Sequence, residues 1–261
     1  MGTSKTALVT GATGAIGEAI ARAVANEPDY TVVLACRDPK KGEAAARRIR
    51  QATRNNDVHV EAVDVGLRGS IDALRARWRG ALHALINNAA IAPRRREVTE
   101  EGIERQFAVN VLGYTRMTAR FADALESAAD ARVVNVASYW AGDLDLDDLQ
   151  FETRRYDNNT AYRQSKQANR MLTVAEAERL EPRGILVNAC HPGDVNSTLS
   201  NDLGFGGSTS AEDGARTPAW LALELHGRTG KYFADCEERP CQFARERAAI
   251  AALEARCAAF G

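Results

Sequence analysis

Tyr162 and Lys166 stand four positions apart in AYRQSKQANRML (161–172), and on a helix that spacing puts both side chains on one face, one turn apart. The pairing has a chemical use. A tyrosine hydroxyl with an ordinary pKa of about 10 is a poor proton donor and acceptor near neutral pH, and a cation held beside it stabilises the phenolate. Lowering that pKa by roughly three units takes about 4 kcal/mol, which an ammonium and a second positive charge can supply together in a partly desolvated site. Two polar residues precede the pair: Asn110 in FAVNVLGY (107–114) and Ser138 at the end of ARVVNVAS (131–138). Taken singly, Ser138 reads equally well as a residue ending a strand, and Asn110 as a helix amide satisfying buried backbone.

These residues need a scaffold. The chain alternates short β-branched runs with helical patterns from its first residues, as a parallel sheet covered by helices does. Periodicity places strands at 5–11, 31–36, 58–65, 81–90, 131–138, 184–193 and 230–235. Helices are expected at 15–27, 39–51, 70–78, 100–125 and 160–180, with an amphipathic helix at the C-terminus. No linker, composition break or repeat divides the sequence. The expectation is one α/β domain over 1–261, a single doubly wound Rossmann-type parallel sheet with helices on both faces. A nucleotide half would end near 137, and a catalytic and substrate-side half would begin at Ser138.

Two segments look irregular. The stretch 142–159 reads as surface loop, its acidic run Asp143 to Asp148 solvated. The Gly/Ser/Asn-rich stretch 195–210 follows the C-terminal end of a strand, where open α/β sheets bind ligands, and a mobile lid is expected there as readily as an inert connector.

TGATGAIG (10–17) joins the first strand to the first helix, the context that holds a dinucleotide pyrophosphate. Gly11 permits the tight turn, Gly14 or a neighbour lets backbone approach the phosphates, and Gly17 lets the helix pack closely on the strand. Nucleotide contacts are expected from Gly11, Thr13, Gly14, Ala15, Ile16 and Gly17.

With this turn, the Tyr162/Lys166 pair and Asn87-Asn88-Ala89, the chain resembles a short-chain dehydrogenase/reductase over nearly its whole length. ACRDPKKGEAAARRI (35–49), HPGDVNSTL (191–199), GKYFADC (230–236) and the 24 positions from Ser138 to Tyr162 resemble the retinol-dehydrogenase-like and carbonyl-reductase-like groups. Two positions depart from the compact branch. Ala15 stands at its middle glycine, giving the TGxxGxxG spacing of extended epimerases and dehydratases, and Ala90 stands where a glycine is usual. Total length, the Asn-Asn-Ala run and the lack of a C-terminal substrate domain resemble the shorter branch.

The resemblance implies roles. Ser138 would hydrogen-bond the substrate oxygen, Tyr162 would deliver or take the proton, Lys166 would hold the nicotinamide ribose and tune Tyr162, and Asn110 would anchor a relay water. It also implies Asp64 and Val65 beside the adenine, Asn88 near the ribose, and Pro192, Gly193, Val195 and Ser197 around the nicotinamide. Asn87 reads as structural, knitting the central strands.

Cofactor choice is made at the end of the second strand, where an acidic residue would hold a ribose 2′-hydroxyl and a basic one a 2′-phosphate. Arg37 stands there, with Lys41 as the second cation that the resemblance implies. The expected cofactor is NADP (NADPH), on the fork geometry of arginine. Asp38 competes as a ribose ligand, but N-capping the next helix is its simpler role. The expected activity is NADP-dependent reduction of a ketone or aldehyde to an alcohol, with Tyr162 as general acid and a small carbonyl or alcohol compound as substrate. The alternatives are a nucleotide-dependent epimerase or dehydratase of the extended branch and a regulator that binds NADP without turnover. Tyr139 and Trp140 either face the substrate or pack the sheet edge. The 142–159 segment could line the substrate cleft, be merely solvated, or cover the helix from Thr160 and hinder the helix-to-helix dimer common in the family; monomer and homodimer stay open.

Composition excludes several classes. Lys and Arg number 34 against 35 Asp and Glu, a net charge of −1, which argues against a general nucleic-acid or anionic-membrane binder. A 45% hydrophobic and 26% charged chain is globular in composition. No secretory leader and no run near 18 apolar residues is seen, and the chain begins almost at its first strand, without the N-terminal anchor many retinol-dehydrogenase-like members carry; a cytoplasmic protein with no membrane partner is expected. The five cysteines and four histidines show no CxxC pair and no shared spacing, so neither a metal site nor a disulfide framework is expected.

Overall fold

Along β1 (Lys5–Thr10) Ala7 and Val9 enter one buried layer and Leu8 the other. The same alternation sets Val32 and Leu34 against Val33 and Ala35 in β2 (Tyr30–Cys36), because successive strand side chains point to opposite faces. Both faces are apolar, so both must be covered. The computed structural model describes residues 4–224 and 227–261. Between and after these strands come α1 (Ala15–Ala25), α2 (Pro39–Thr53), β3 (Val58–Ala62), α3 (Arg68–Arg77), β4 (Ala84–Asn87), α4 (Arg105–Phe107), a π-helical turn (Ala108–Leu112) and α5 (Gly113–Glu126). The chain continues through β5 (Arg132–Val136), α6 (Asn158–Leu180), β6 (Leu186–Cys190), α7 (Thr198–Asp202), α8 (Ala211–Leu223), β7 (Tyr232–Ala234), β8 (Glu237–Arg239) and α9 (Arg247–Ala258).

The sheet runs β3-β2-β1-β4-β5-β6-β7-β8, parallel except for the antiparallel last pair. The winding direction reverses between β1 and β4, which opens a crevice at their carboxyl ends. Among the described residues no helix is long and apolar enough to cross a membrane.

Four elements differ from the sequence expectation. The helix expected from Glu100 starts at Arg105, because the Glu104 carboxylate accepts from the Gln106 and Phe107 N–H groups and caps it there. It then passes through the π turn that carries Asn110. Helix α8 was not anticipated: Pro218 interrupts its pattern, although Ser210 caps it by accepting from the Asp213 N–H. The lid segment contains α7, and β8 adds an antiparallel edge.

The 142–159 segment is corrected in part: Asp143 and Asp147 of its acidic run are exposed as expected, whereas Asp148 is drawn inside. Asp148 is 7% exposed and accepts from the N–H groups of Glu152, Thr153 and Arg154 and from the Thr153 hydroxyl. Burial pushes its carboxyl up, but these donors outweigh it and hold the pKa below the usual value. Leu149 and Phe151 are buried, and α6 grips the strap through its glutamines. Gln167 Oε1 accepts from Leu144 N–H at 3.1 Å, and Gln164 Nε2 donates to the Leu149 carbonyl at 2.9 Å.

One carboxyl is sealed between α6 and the sheet. Glu176, 1% exposed, accepts at Oε2 from Asn135 Nδ2 at 3.1 Å, and Asn135 Oδ1 accepts from Asn87 Nδ2 at 2.9 Å. Burial pushes its pKa up to about 7, with the Asn135 hydrogen bond opposing. The native protein therefore keeps a proton that the unfolded chain releases above its ordinary carboxyl pKa near 4.5. Stability falls as pH rises through that window, by about 1.4 kcal/mol per unit. Glu176→Gln removes this slope and raises the melting temperature at pH 8; urea unfolding at several pH values measures it, and an unchanged slope would contradict the assignment.

Candidate active site

The turn after β1 leaves backbone exposed at the crevice. Gly11 adopts φ 64°, and a Cβ on Gly17 would lie 2.4 Å from the Gly11 carbonyl oxygen and 2.7 Å from Asn88 Nδ2. Only glycine fits there. Asn88 Nδ2 donates to the Thr10 carbonyl at 2.9 Å, tying the end of β4 to the turn. No side chain caps the start of α1, whose preceding residue is Gly14, so its first N–H groups are available to an anion.

A cleft of about 410 Å³ opens over this turn, lined by Gly11, Thr13, Gly14, Ala15, Ile16 and Gly17 and, from the next strand ends, by Arg37, Lys41, Asp64 and Val65. Asn88 and Ser197 close it. Arg37 and Lys41 are exposed at its edge, and neither has an ion-pair partner among the described residues. Asp38 also lines the cleft, and its Oδ1 caps α2, accepting from the Lys40 and Lys41 N–H groups at 2.9 and 3.2 Å. The turn and the two cations thus fit a dinucleotide with a phosphorylated ribose. Ala89, Ala90 and Ile91 also line the cleft; their place just past β4, at the switch in winding, was the signal that could have found them.

Pro192, Gly193 and Val195 do not line it. Val195 is 4% exposed and presses on the glycine face of α8, where a Cβ on Gly214 would meet its Cγ2 at 2.3 Å. Ser197 instead caps α7 through a reciprocal bond with Ser200.

Strand β5 and helix α6 bring the proton-transfer residues together. Ser138 lies beside the Tyr162 hydroxyl, where it favours the ionised form, and accepts at Oγ from the Trp140 N–H at 3.0 Å. Lys166 Nζ lies 5.6 Å from the Tyr162 ring centre and 5.4 Å from that of Tyr114. It donates to the Val136 carbonyl at 2.8 Å, the same oxygen that accepts from the Tyr114 hydroxyl. The ammonium takes this acceptor rather than lining the nucleotide cleft, since a buried charge needs its nearest partner.

The expected lowering of the Tyr162 pKa is not what the protein's own groups produce. Burial pushes it up to about 12, the nearby Ser138 opposing only in part, and burial pushes Lys166 down to about 7. Desolvation penalises both charged forms at once, which helical spacing cannot reveal.

Asn110 braces the site. Its Nδ2 donates to the Ile91 carbonyl at 3.0 Å and to Ser165 Oγ at 3.2 Å, and its Oδ1 accepts from the Ile91 N–H at 2.9 Å. Both amide hydrogens are committed, leaving one acceptor position for a water. Asn87 is structural, bonding Asn135 and Thr118 across the sheet–helix interface. Leu199 lines the cleft and joins Ala92, Leu203 and Trp140 in the apolar cluster around Tyr162. Trp140 therefore faces the site, while Tyr139 donates to Asp194 at 3.3 Å and sets its ring against His191. Among the described residues no cluster of His, Cys, Asp or Glu could hold a metal ion.

A family model for short chain dehydrogenases matches residues 5–204. Retinol dehydrogenase 13 of Homo sapiens is 37% identical over 242 residues, taking in 90% of this chain and 73% of that one. Among solved structures, an uncharacterized protein from Mycobacterium Paratuberculosis aligns with a TM-score of 0.82 at 29% identity, over 99% of this chain and 93% of that one. A short-chain dehydrogenase from Sphingobium yanoikuyae, solved in complex with NADPH, aligns with a TM-score of 0.65 at 24% identity, over 82% of each chain.

Proposed function

This chain belongs to the short-chain dehydrogenase family, and from that premise we propose that it is an NADP-dependent oxidoreductase that reduces a ketone or aldehyde to an alcohol, with Tyr162 as general acid. The observation that carries this reading is the juxtaposition of Ser138 and Tyr162 at the carboxyl end of β5, beside a cleft that ends in Arg37, which has no ion-pair partner among the described residues. When bound, the reduced nicotinamide supplies the hydride. Ser138 receives the carbonyl oxygen in a hydrogen bond and holds it within reach of the Tyr162 hydroxyl. That hydroxyl is protonated at neutral pH, the form a reduction needs, and the proton passes to the oxygen as negative charge develops there. Lys166, fixed by Val136, stands one turn away to steady the phenolate that remains. Arg37 and Lys41 would grip the ribose phosphate, and the fold neighbour solved with NADPH accords with that choice.

A screen of NADPH oxidation across aldehydes and ketones tests the reading. Turnover with NADPH, and weaker turnover with NADH, is expected; NADPH binding without turnover of any carbonyl would favour a nucleotide-binding regulator. We also propose a monomer, since the 142–151 strap and α9 both pack on α6, leaving 17 of its 23 residues buried. Light scattering is expected to return the mass of one chain, and a dimer mass would refute this.

A further inference from the structure

Phe205 keeps 47% of its surface exposed in the run Gly204-Phe205-Gly206-Gly207, whose glycines take φ values of 88°, 74° and 72°. The base of this tip is fixed. Ser200 Oγ donates to the Gly206 carbonyl at 3.2 Å, and Asn158 Nδ2 donates from the start of α6 to the Asp202 carbonyl at 3.1 Å. The exposed ring itself rests edge-to-face on Trp140, with centroids 5.6 Å apart and planes at 88°. Trp140 in turn lies 6.0 Å from the Tyr162 ring. Outward from the catalytic hydroxyl the wall is apolar, Ala92, Leu199 and Leu203 completing it. Of the other aromatic at this mouth, Tyr139, the hydroxyl and the ring are both engaged, by Asp194 and His191.

Resting on the reading that Ser138 and Tyr162 receive a carbonyl, we propose that Trp140 and Phe205 form a clasp for an aromatic ring attached to that carbonyl, so that the substrates are aryl ketones and aryl aldehydes. A flat ring enters between the two side chains with less displacement of Phe205 than a saturated ring of the same carbon count. It also gains the offset or edge-on contacts that aromatic faces favour and a saturated ring lacks. The Phe205 N–H donates to the Ser200 carbonyl at 3.1 Å and its carbonyl accepts from the Gly207 N–H at 2.8 Å, so the backbone stays in place and the exposed ring admits the ligand by turning about its own side-chain bonds. Substrate binding then covers a large apolar side chain that otherwise faces water.

Acetophenone and cyclohexyl methyl ketone share a carbon skeleton and separate the possibilities. Calorimetric binding to the protein saturated with NADP⁺ is expected to favour acetophenone about tenfold, and KM with NADPH should follow. Phe205→Ala and Trp140→Ala should each cost about tenfold in acetophenone affinity and less than about twofold for the cyclohexyl compound. Phe205→Tyr should restore the preference, and Phe205→Leu should not. Phe205 is exposed, so its variants test the clasp even if Trp140→Ala folds poorly. Equal losses for both ketones, no loss, or no binding of acetophenone overturns the clasp. Turnover of both ketones without preference refutes the clasp and leaves the oxidoreductase reading standing. Selective binding of acetophenone without turnover supports the clasp and counts against the reading.

Discussion

Tyr162→Phe lowers kcat by about 10²- to 10⁴-fold, the range that a positioned general acid contributes, while the Kd for NADPH changes by less than about threefold. The second half of this expectation comes from packing. A phenylalanine keeps the ring among Ala92, Leu203 and Trp140, and Lys166 keeps its bond to Val136. Ser138 loses a neighbouring hydroxyl and still accepts from the Trp140 N–H. The glycine turn and Arg37 lie in the cleft, whose lining Tyr162 does not join. Steady-state kinetics with a reducible carbonyl, paired with a fluorescence titration of NADPH, separates the two effects. A variant that retains wild-type kcat would remove Tyr162 from the mechanism.

Arg37→Asp is the second large effect. A charge-assisted pairing with a phosphate is worth roughly 1.5 to 3 kcal/mol, so the NADPH over NADH preference in kcat/KM is expected to fall by about 10- to 100-fold. The new carboxylate both removes the fork and repels the phosphate, and it can accept from a ribose hydroxyl, so NADH should improve as NADPH worsens. Asp38 already stands next door, with its Oδ1 engaged at the start of α2. Lys41 remains and tempers the switch. Arg37 is exposed and unpaired among the described residues, so the melting temperature should stay within about 1 °C, as surface changes away from such features do. An unmoved cofactor ratio would show that the phosphate is read elsewhere.

The layered sheet was legible because alternation is written locally: Leu8 against Ala7 and Val9 needs only neighbours to be read. The glycine turn was legible for the same reason, since Gly11 and Gly17 answer to backbone demands within seven residues of each other. Asp38 as a cap was settled by position. What escaped is what depends on distant partners. Asp148 looked like part of a solvated acidic run, and only the return of the chain at 152–154 supplies the donors that bury it. Helix α8 was hidden by Pro218 and stands because it packs on α1 and the sheet. The upward shift of the Tyr162 pKa follows from burial, a property of the assembled fold and not of the Tyr-to-Lys spacing.

The amides of Asn87 and Asn135 bear on more than stability. They are paired in register on adjacent strands and bond one another while buried. Sliding β4 past β5 by one residue would turn Asn87 to the opposite layer and leave both amides unmatched among aliphatic side chains. The two amides therefore act as a ruler. Asn88 follows the first directly and Ser138 stands three residues beyond the second, so a single polar match indexes the nucleotide turn and the substrate-binding hydroxyl to one another.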